Sequence, residues 1–127
     1  MKRFSKYLVM VCLLATGSGL TGCYKDVVSP ETDPDGPPKS ISFKDDLAPL
    51  LETKCATSGC HVTNGKKPYL EADVSYQTFV NGGYVNTIVP KSSLIYQAVY
   101  GNMSEYMPAP ADKAKVYDWI RNGAPNN

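Results

Sequence analysis

The chain has 127 residues, enough for one domain of ordinary size, and its hydrophobic (43%) and charged (20%) fractions are those of a globular protein. It carries 13 basic and 12 acidic side chains, a net charge of +1, so the charge balance gives nucleic-acid binding no support. The chain has four cysteines and one histidine. These few residues restrict the chemistry most, because thiols and imidazoles form disulfides, metal sites and haem attachments.

The first 22 residues have the layout of an export signal. A positively charged start, Met1–Lys6, precedes an apolar run, Tyr7–Ala15, that is too short to span a bilayer. The sequence Leu20-Thr21-Gly22-Cys23 then resembles the bacterial lipobox. The resemblance implies that residues 1–22 are removed and that Cys23 is acylated and becomes the first mature residue. The alternative is an ordinary signal peptide that leaves Cys23 as an unpaired thiol.

The lipobox places the mature protein outside the cytoplasm, attached to a membrane through Cys23. Tyr24 stands where an Asp would be the inner-membrane retention signal of enteric bacteria. The outer membrane is therefore favoured, and either its periplasmic face or the cell surface remains open. Residues 23–40 hold four prolines and several acidic residues, and this composition predicts an extended, solvated linker.

Residues 41–127 predict an all-α domain of three to five short helices. Leu47, Leu50 and Leu51 recur at helical spacing, with Asp45 or Asp46 as the cap and Pro49 in the first turn. A second helix is expected over residues 75–80, closed by Asn81-Gly82. A third is expected to be capped by Ser92-Ser93, to end near Gly101 and to carry these apolar residues: Leu94, Ile95, Ala98 and Val99.

The last helix has the clearest pattern. Asp112 lies near its start, Val116, Trp119 and Ile120 form its apolar stripe, and Gly123 ends it. No segment alternates as a strand does, so a sheet is expected at most as a short ribbon over residues 84–89. Because large apolar residues are few, we expect a disulfide, a metal or a prosthetic group to complete the core.

The segment Cys55-Ala56-Thr57-Ser58-Gly59-Cys60-His61 contains the single histidine. In c-type haem attachment, two thiols add to the haem vinyl groups and the histidine that follows the second thiol binds iron. The usual spacing has two residues between the cysteines, whereas this chain has four. Gly59 eases the longer loop because glycine adopts unusual dihedral angles.

Two other interpretations compete with haem attachment. A Cys55–Cys60 disulfide suits an exported protein, and by spacing alone it is as well supported as haem. A structural zinc site needs four ligands, and Cys55, Cys60 and His61 supply only three.

The methionines favour haem. With one histidine, a second imidazole on the iron is impossible within the chain. Beyond the predicted signal peptide the thioethers are Met103 and Met107, both in the loop before the last helix. Met107 is the better candidate for the sixth ligand because Pro108-Ala109-Pro110 stiffens the backbone behind it. Met103 is expected to be a packing or spare residue, because methionine often fills gaps.

Several segments together resemble class I cytochrome c, particularly the small exported cytochromes of Bacteroidota-type bacteria. The resemblance covers residues 42–127 and rests on these segments: residues 46–51, Gly59-Cys60-His61, Ser93-Leu94-Ile95-Tyr96, Met107-Pro108 and residues 116–124. It implies a small cytochrome c-like fold around one covalent haem, with Cys55 and Cys60 as thioether sites, His61 as proximal ligand and Met107 as distal ligand.

The resemblance also implies contacts around the haem. The Pro68 carbonyl would accept the Nδ1 proton of His61, which would fix the imidazole tautomer. Leu47 and Leu51 would meet Trp119 and Ile120. Four tyrosines are candidates to line the haem or bind its propionates, with ordinary core positions as the alternative for most of them: Tyr76, Tyr96, Tyr100 and Tyr106.

We therefore expect a monomeric, lipid-anchored monohaem cytochrome that carries single electrons between redox partner proteins and catalyses no reaction of its own. Two other functions stay open. If Met107 does not bind iron, a five-coordinate haem would suit an enzyme or a sensor of peroxide or gas. If no haem is attached, the chain is a disulfide-stapled binding lipoprotein.

Overall fold

The computed structural model describes residues 35–127. The predicted signal peptide 1–22, Cys23 and the linker as far as residue 34 lie outside the described residues. The chain forms four α-helices: α1 (Ala48–Lys54), α2 (Ser75–Asn81), α3 (Leu94–Tyr100) and α4 (Pro110–Arg121). A π-helical turn (Phe43–Leu47) leads into α1, and a 3₁₀ turn (Pro90–Ser92) precedes α3.

Within residues 35–127 there is no β-strand, so the prediction of an all-α domain is confirmed for this part of the chain. The ribbon considered over residues 84–89 does not form. Asn86 instead organises this loop, since its side-chain oxygen accepts hydrogen bonds from the backbone N–H groups of Ile88 (3.0 Å) and Val89 (2.9 Å). No helix in the described part is long and apolar enough to cross a membrane.

The first helical segment begins earlier than its apolar pattern predicts. The cap is Ser42, whose hydroxyl accepts the Asp45 N–H at 3.1 Å, while the Asp46 carboxylate accepts the Ser42 N–H at 3.0 Å. The prediction that Asp45 or Asp46 caps the helix is therefore wrong. Both lie in the first turn, where they complete a reciprocal cap with Ser42. Pro49 lies in the first turn of α1, as predicted.

Ser93 precedes α3 as predicted, but its side chain does not cap the helix. Its hydroxyl accepts the Asn86 N–H at 2.8 Å and donates to the Asn86 main-chain oxygen at 3.2 Å. The buried Ser93 hydroxyl therefore bonds the backbone of the preceding loop at Asn86, and this role draws it away from the helix end.

The core forms where α4 meets the π-helical turn. Trp119 and Ile120 are fully buried, and they share one hydrophobic core with Leu47 and Leu51, as predicted. The rings of Phe43 and Trp119 lie 5.1 Å apart. The Phe43 N–H also donates to the side-chain oxygen of Asn127 at 2.9 Å, so the two ends of the domain are joined.

The end of the predicted linker is attached to the domain. The Asp35 carboxylate lies 2.7 Å from the Lys91 ammonium group, and the Tyr117 hydroxyl donates to it at 3.5 Å. Arg121 donates to the Gly36 carbonyl, and the Asn122 amide donates to the Lys39 carbonyl at 2.6 Å. Residues 35–39, the described end of the predicted solvated linker, are mostly exposed and are hydrogen-bonded to the domain.

Candidate functional site

A cavity of about 510 Å³ opens beside α3. Such a volume is in the range of small-molecule and cofactor sites. Most of its wall is apolar. Residues from α1, α2, α3 and the loops that follow them contribute to this wall, including Leu51, Leu70, Phe79, Ile95 and Val99.

The loop from Cys55 to His61 places all three predicted attachment residues on the cavity wall. Cys55 directly follows α1, and its backbone N–H donates to the Leu51 carbonyl oxygen at 2.8 Å. The His61 N–H donates to the Cys55 main-chain oxygen at 3.1 Å, which closes the longer loop on itself. Gly59 has φ +80°, a left-handed conformation that suits glycine. The four-residue spacing therefore still brings His61 beside Cys55.

The imidazole of His61 is held in one tautomer. Its Nδ1 lies 2.9 Å from the Pro68 carbonyl oxygen and 3.1 Å from the Lys66 carbonyl oxygen. Carbonyl oxygens only accept hydrogen bonds, so Nδ1 carries a proton, and in a neutral imidazole the lone pair then lies on Nε2. The hydrogen bond expected between His61 and Pro68 is thus present. This arrangement is the one in which a histidine serves as a metal ligand through Nε2.

Both thiols in the described part of the chain, Cys55 and Cys60, are free and half-buried. Burial raises the pKa of the Cys55 thiol, and the neighbouring Cys60 adds to this effect. Cys55 is therefore held as a neutral thiol at neutral pH. Among residues 35–127, no three or more His, Cys, Asp or Glu side chains form a group that could hold a metal ion.

The two methionines of the loop before α4 occupy different places. Met103, expected to be a packing or spare residue, lies on the cavity wall. Met107 is 1% exposed and belongs to the hydrophobic core, together with Leu51, Leu70 and Ile95, which also form part of the wall. Met107 is therefore packed in the layer behind the wall, and Met103 is the thioether that faces the cavity.

Of the four candidate tyrosines, Tyr106 lies on the cavity wall and the other three do not. Tyr76 donates to the Ala124 carbonyl at 3.3 Å, and Tyr96 stacks on Tyr100 with ring centres 4.4 Å apart. Tyr84, which the sequence did not single out, also lines the cavity. Its ring lies edge-on to that of Phe79 at 6.3 Å, so the two form one aromatic part of the wall.

Three lysines on the cavity wall also escaped prediction: Lys54, Lys66 and Lys67. Their positions in the chain could have predicted their place on the wall. Lys54 directly precedes Cys55, and Lys66-Lys67 directly precedes Pro68. A residue adjacent to a predicted site residue often shares its surroundings in a short, tightly hydrogen-bonded loop.

The residues present fit a haem. Thiols stand at the edge of an apolar cavity, an imidazole on the same wall is oriented through its Nδ1, and a thioether shares the wall. Such a set suits covalent attachment and iron ligation. Searches for similar proteins gave no match among family models, curated proteins or solved structures.

Proposed function

We propose that this protein is a monohaem c-type cytochrome that carries single electrons, with a cytochrome c-like fold. The observation that carries the proposal is the geometry of the Cys55–His61 loop. It places two thiols and the imidazole on one apolar cavity, and it holds Nδ1 of His61 against the Pro68 carbonyl at 2.9 Å. A bound haem would supply an iron that cycles between the ferric and ferrous states.

Each residue of the site has a defined part in this proposal. The sulfur atoms of Cys55 and Cys60 would hold a haem through thioethers, and Nε2 of His61 would be its iron ligand. The Pro68 carbonyl keeps the imidazole oriented, and hydrogen bonding at Nδ1 would raise the basicity of the ligand nitrogen. The apolar wall, with Leu51 and Phe79, would exclude water from a bound haem, which affects its reduction potential.

For the sixth ligand we propose a methionine of the loop between α3 and α4. Met107 followed by Pro108 carries the resemblance, and it lies one layer behind the cavity wall. A shift of its side chain from the core to the wall would bring its sulfur to the cavity. Met103 already faces the cavity and is the competing ligand. A thioether ligand would raise the potential.

We further propose that the domain is monomeric and sits in the cell envelope, tethered through acylated Cys23, with the outer membrane favoured. It would exchange electrons with redox partner proteins and would catalyse no reaction itself. The support is the Leu20-Thr21-Gly22-Cys23 sequence and the proline-rich, acidic stretch that follows it.

The test is the full chain expressed together with haem-attachment machinery. We expect a sharp α band on reduction, pigment that survives acid–acetone extraction, and a mass increase of one haem on the peptide that contains Cys55 and Cys60. A Cys55→Ala, Cys60→Ala double variant should lose covalent haem, whereas Cys12→Ala should keep it. Pigment that extracts freely, or a haem-free protein with a Cys55–Cys60 disulfide, would contradict the proposal.

A further inference from the structure

The loop between α2 and α3 exposes two adjacent apolar side chains. Ile88 is 91% exposed and Val89 is 54% exposed, and in the described part of the chain no other large apolar side chain is as exposed as Ile88. Pro90 follows them and extends the apolar run to three residues. We call Ile88, Val89 and Pro90 the apolar tip. None of the three lines the cavity beside α3, so the apolar tip is a surface separate from the site described above.

The backbone of the apolar tip has most of its polar groups paired within the loop. The N–H groups of Ile88 and Val89 both donate to the side-chain oxygen of Asn86. The Val89 carbonyl accepts the N–H of Ser92 at 2.9 Å and its hydroxyl at 2.7 Å. Pro90 has no N–H to satisfy. Taking this tip out of water therefore costs little, because unpaired backbone groups are what make such a transfer expensive.

The charge around the apolar tip also suits a lipid surface. Residues 84–93 contain no acidic side chain, and Lys91 is their single charged residue. A lysine beside an apolar segment is compatible with a membrane interface, since its stem can pack on apolar groups while its ammonium group stays in water. The loop thus combines exposed apolar side chains, a paired backbone and no carboxylate of its own.

The chain enters the domain beside the apolar tip. The carboxylate of Asp35, the first described residue, lies 2.7 Å from the ammonium group of Lys91, which directly follows Pro90. Asp35 is the twelfth residue after Cys23. Because twelve residues span at most about 40 Å, a membrane that holds the chain at Cys23 lies close to the tip. The tether then gives the tip a high effective concentration at that membrane.

We propose that the apolar tip inserts into the surface of the membrane to which the preceding chain is attached. Ile88 and Val89 lie at the boundary between the lipid headgroups and the acyl chains, and Lys91 lies at the level of the headgroups. So small a contact does not hold a free protein on a membrane, but it adds to an attachment that already exists. That the attachment is acylated Cys23 rests on the proposed function, whereas contact of the tip with lipid does not.

Docking of the apolar tip fixes how the domain faces the membrane. A domain held by its chain alone turns freely, whereas a domain held by the chain and the tip keeps one face toward the lipid. The tip contributes nothing to the cavity wall, so its insertion does not occupy the cavity.

The test is photo-crosslinking of the full chain on vesicles of phosphatidylcholine, which carry no net charge. The photoreactive residue p-benzoylphenylalanine replaces residue 88 in the unprocessed 127-residue chain. The apolar run Tyr7–Ala15 of this chain attaches it to the vesicles without acylation, so a failure of the lipid anchor and a failure of tip docking are distinguishable. Irradiation should give lipid adducts on the peptide that contains position 88, read by mass spectrometry.

Position 106 is the matched control for the photoreactive residue. Tyr106 is 51% exposed and lies in the loop that follows the opposite end of α3. The same photoreactive residue at position 106 should give far fewer lipid adducts than at position 88.

A substitution in the apolar tip gives a second measurement. With the photoreactive residue at position 89, Ile88→Asp should lower the yield of lipid adducts at least about tenfold, since the burial of an isoleucine side chain is lost. Ile88 is almost fully exposed, so this change should not disturb the fold. Tyr106→Asp, the control substitution, should leave the yield at position 89 unchanged.

Four results would overturn the proposal. No lipid adduct at position 88 would mean that the tip stays in water, and equal yields at positions 88 and 106 would mean that the domain has no preferred face. In membranes of the producing bacterium, adducts at position 88 with another protein instead of lipid would assign the tip to a protein partner. Adducts with a second copy of the chain would assign it to self-association.

Discussion

The indole N–H of Trp119 donates a hydrogen bond to the main-chain oxygen of Pro125 at 2.9 Å. The indole is fully buried, and this bond satisfies its single polar group inside the core. It also fixes the chain that leaves α4, in which Gly123 adopts φ +88° and reverses direction. The last helix and the segment that follows it are thus joined to one core by the same side chain.

Replacing Trp119 should therefore damage folding before it affects any haem chemistry. Trp119→Ala should lower the free energy of unfolding by roughly 3–5 kcal/mol, the usual cost of deleting a fully buried aromatic side chain. Trp119→Phe keeps most of the ring but loses the N–H donor and leaves the Pro125 oxygen without this partner. Urea unfolding followed by circular dichroism measures both. If the Trp119→Ala protein unfolds near the wild-type urea midpoint, the packing of α4 against the π-helical turn is misassigned.

Substituting Met107 and substituting Met103 should give opposite results, which depend on which of the two is the sixth ligand. If Met107 binds iron, Met107→Ala should keep covalent haem, lose the weak long-wavelength ferric band of thioether ligation, and lower the reduction potential. Met103→Ala should then change neither property. The measurement is the ferric absorption spectrum together with a redox titration.

An exchange of these two outcomes would assign Met103, which faces the cavity, as the ligand. If neither variant changes the spectrum and the wild type binds carbon monoxide, the iron is five-coordinate. An enzymatic or sensing function would then replace electron transfer.

The contact between Asp35 and Lys91 should hold residues 35–39 on the domain only between two pH limits. The hydrogen bond from Lys91 lowers the pKa of Asp35 below its ordinary 3.8. The stability that the contact contributes is therefore lost when Asp35 takes up a proton, as pH falls through the lowered pKa. The same bond raises the pKa of Lys91 above its ordinary 10.5, so the contribution is also lost as pH rises through the raised value. The contact is therefore intact across the neutral range.

Nuclear magnetic resonance of the Gly36 amide can follow this contact. The amide should shift at the acid limit, and at neutral pH Asp35→Asn should reproduce the acid-limit position. Because both partners are exposed, added salt should weaken the contact as well. A Gly36 signal that is insensitive to pH, salt and the substitution would mean that Lys91 does not hold the segment.

The lipid anchor is testable by one substitution. Cys23→Ser removes the thiol that would be acylated, so the domain should move to the soluble fraction or accumulate as the unprocessed precursor. Cys12→Ser, inside the predicted signal peptide, is the matched control and should leave membrane attachment unchanged. A Cys23→Ser protein that is processed to its mature length and still remains with the membrane would falsify the anchor.

Helix positions followed from the sequence because the signals are local. The spacing of Val116, Trp119 and Ile120 identified α4, and Asn81-Gly82 marked the end of α2. The position of His61 beside Cys55 also followed, since only a few residues separate them. The helical start at Ser42 did not, because the apolar pattern used for this helix began at Leu47 and left out Phe43, which is buried four residues earlier.

Long-range contacts could not be predicted in this way. Asp35 reaches Lys91 across 56 positions, and no periodicity links two such residues. Most of the residues that form the cavity wall could not be predicted for the same reason, since they come from distant parts of the chain. Which methionine faces the cavity depends on how the loop between α3 and α4 packs on the core, and the stiffness of Pro108-Ala109-Pro110 alone does not decide it. Physical contacts between distant segments, rather than local preferences, set those features.

The attachment of residues 35–39 has a mechanical consequence. A pull on the chain that precedes Asp35 is met first by the bonds of this segment to Lys91, Arg121 and Asn122. The load then passes into α4 and the core around Trp119. The Cys55–His61 loop lies further along the chain, beyond the π-helical turn and α1, so it is shielded from tension. We therefore expect the attached segment to bear tension from the preceding chain before any of it reaches the residues of the cavity.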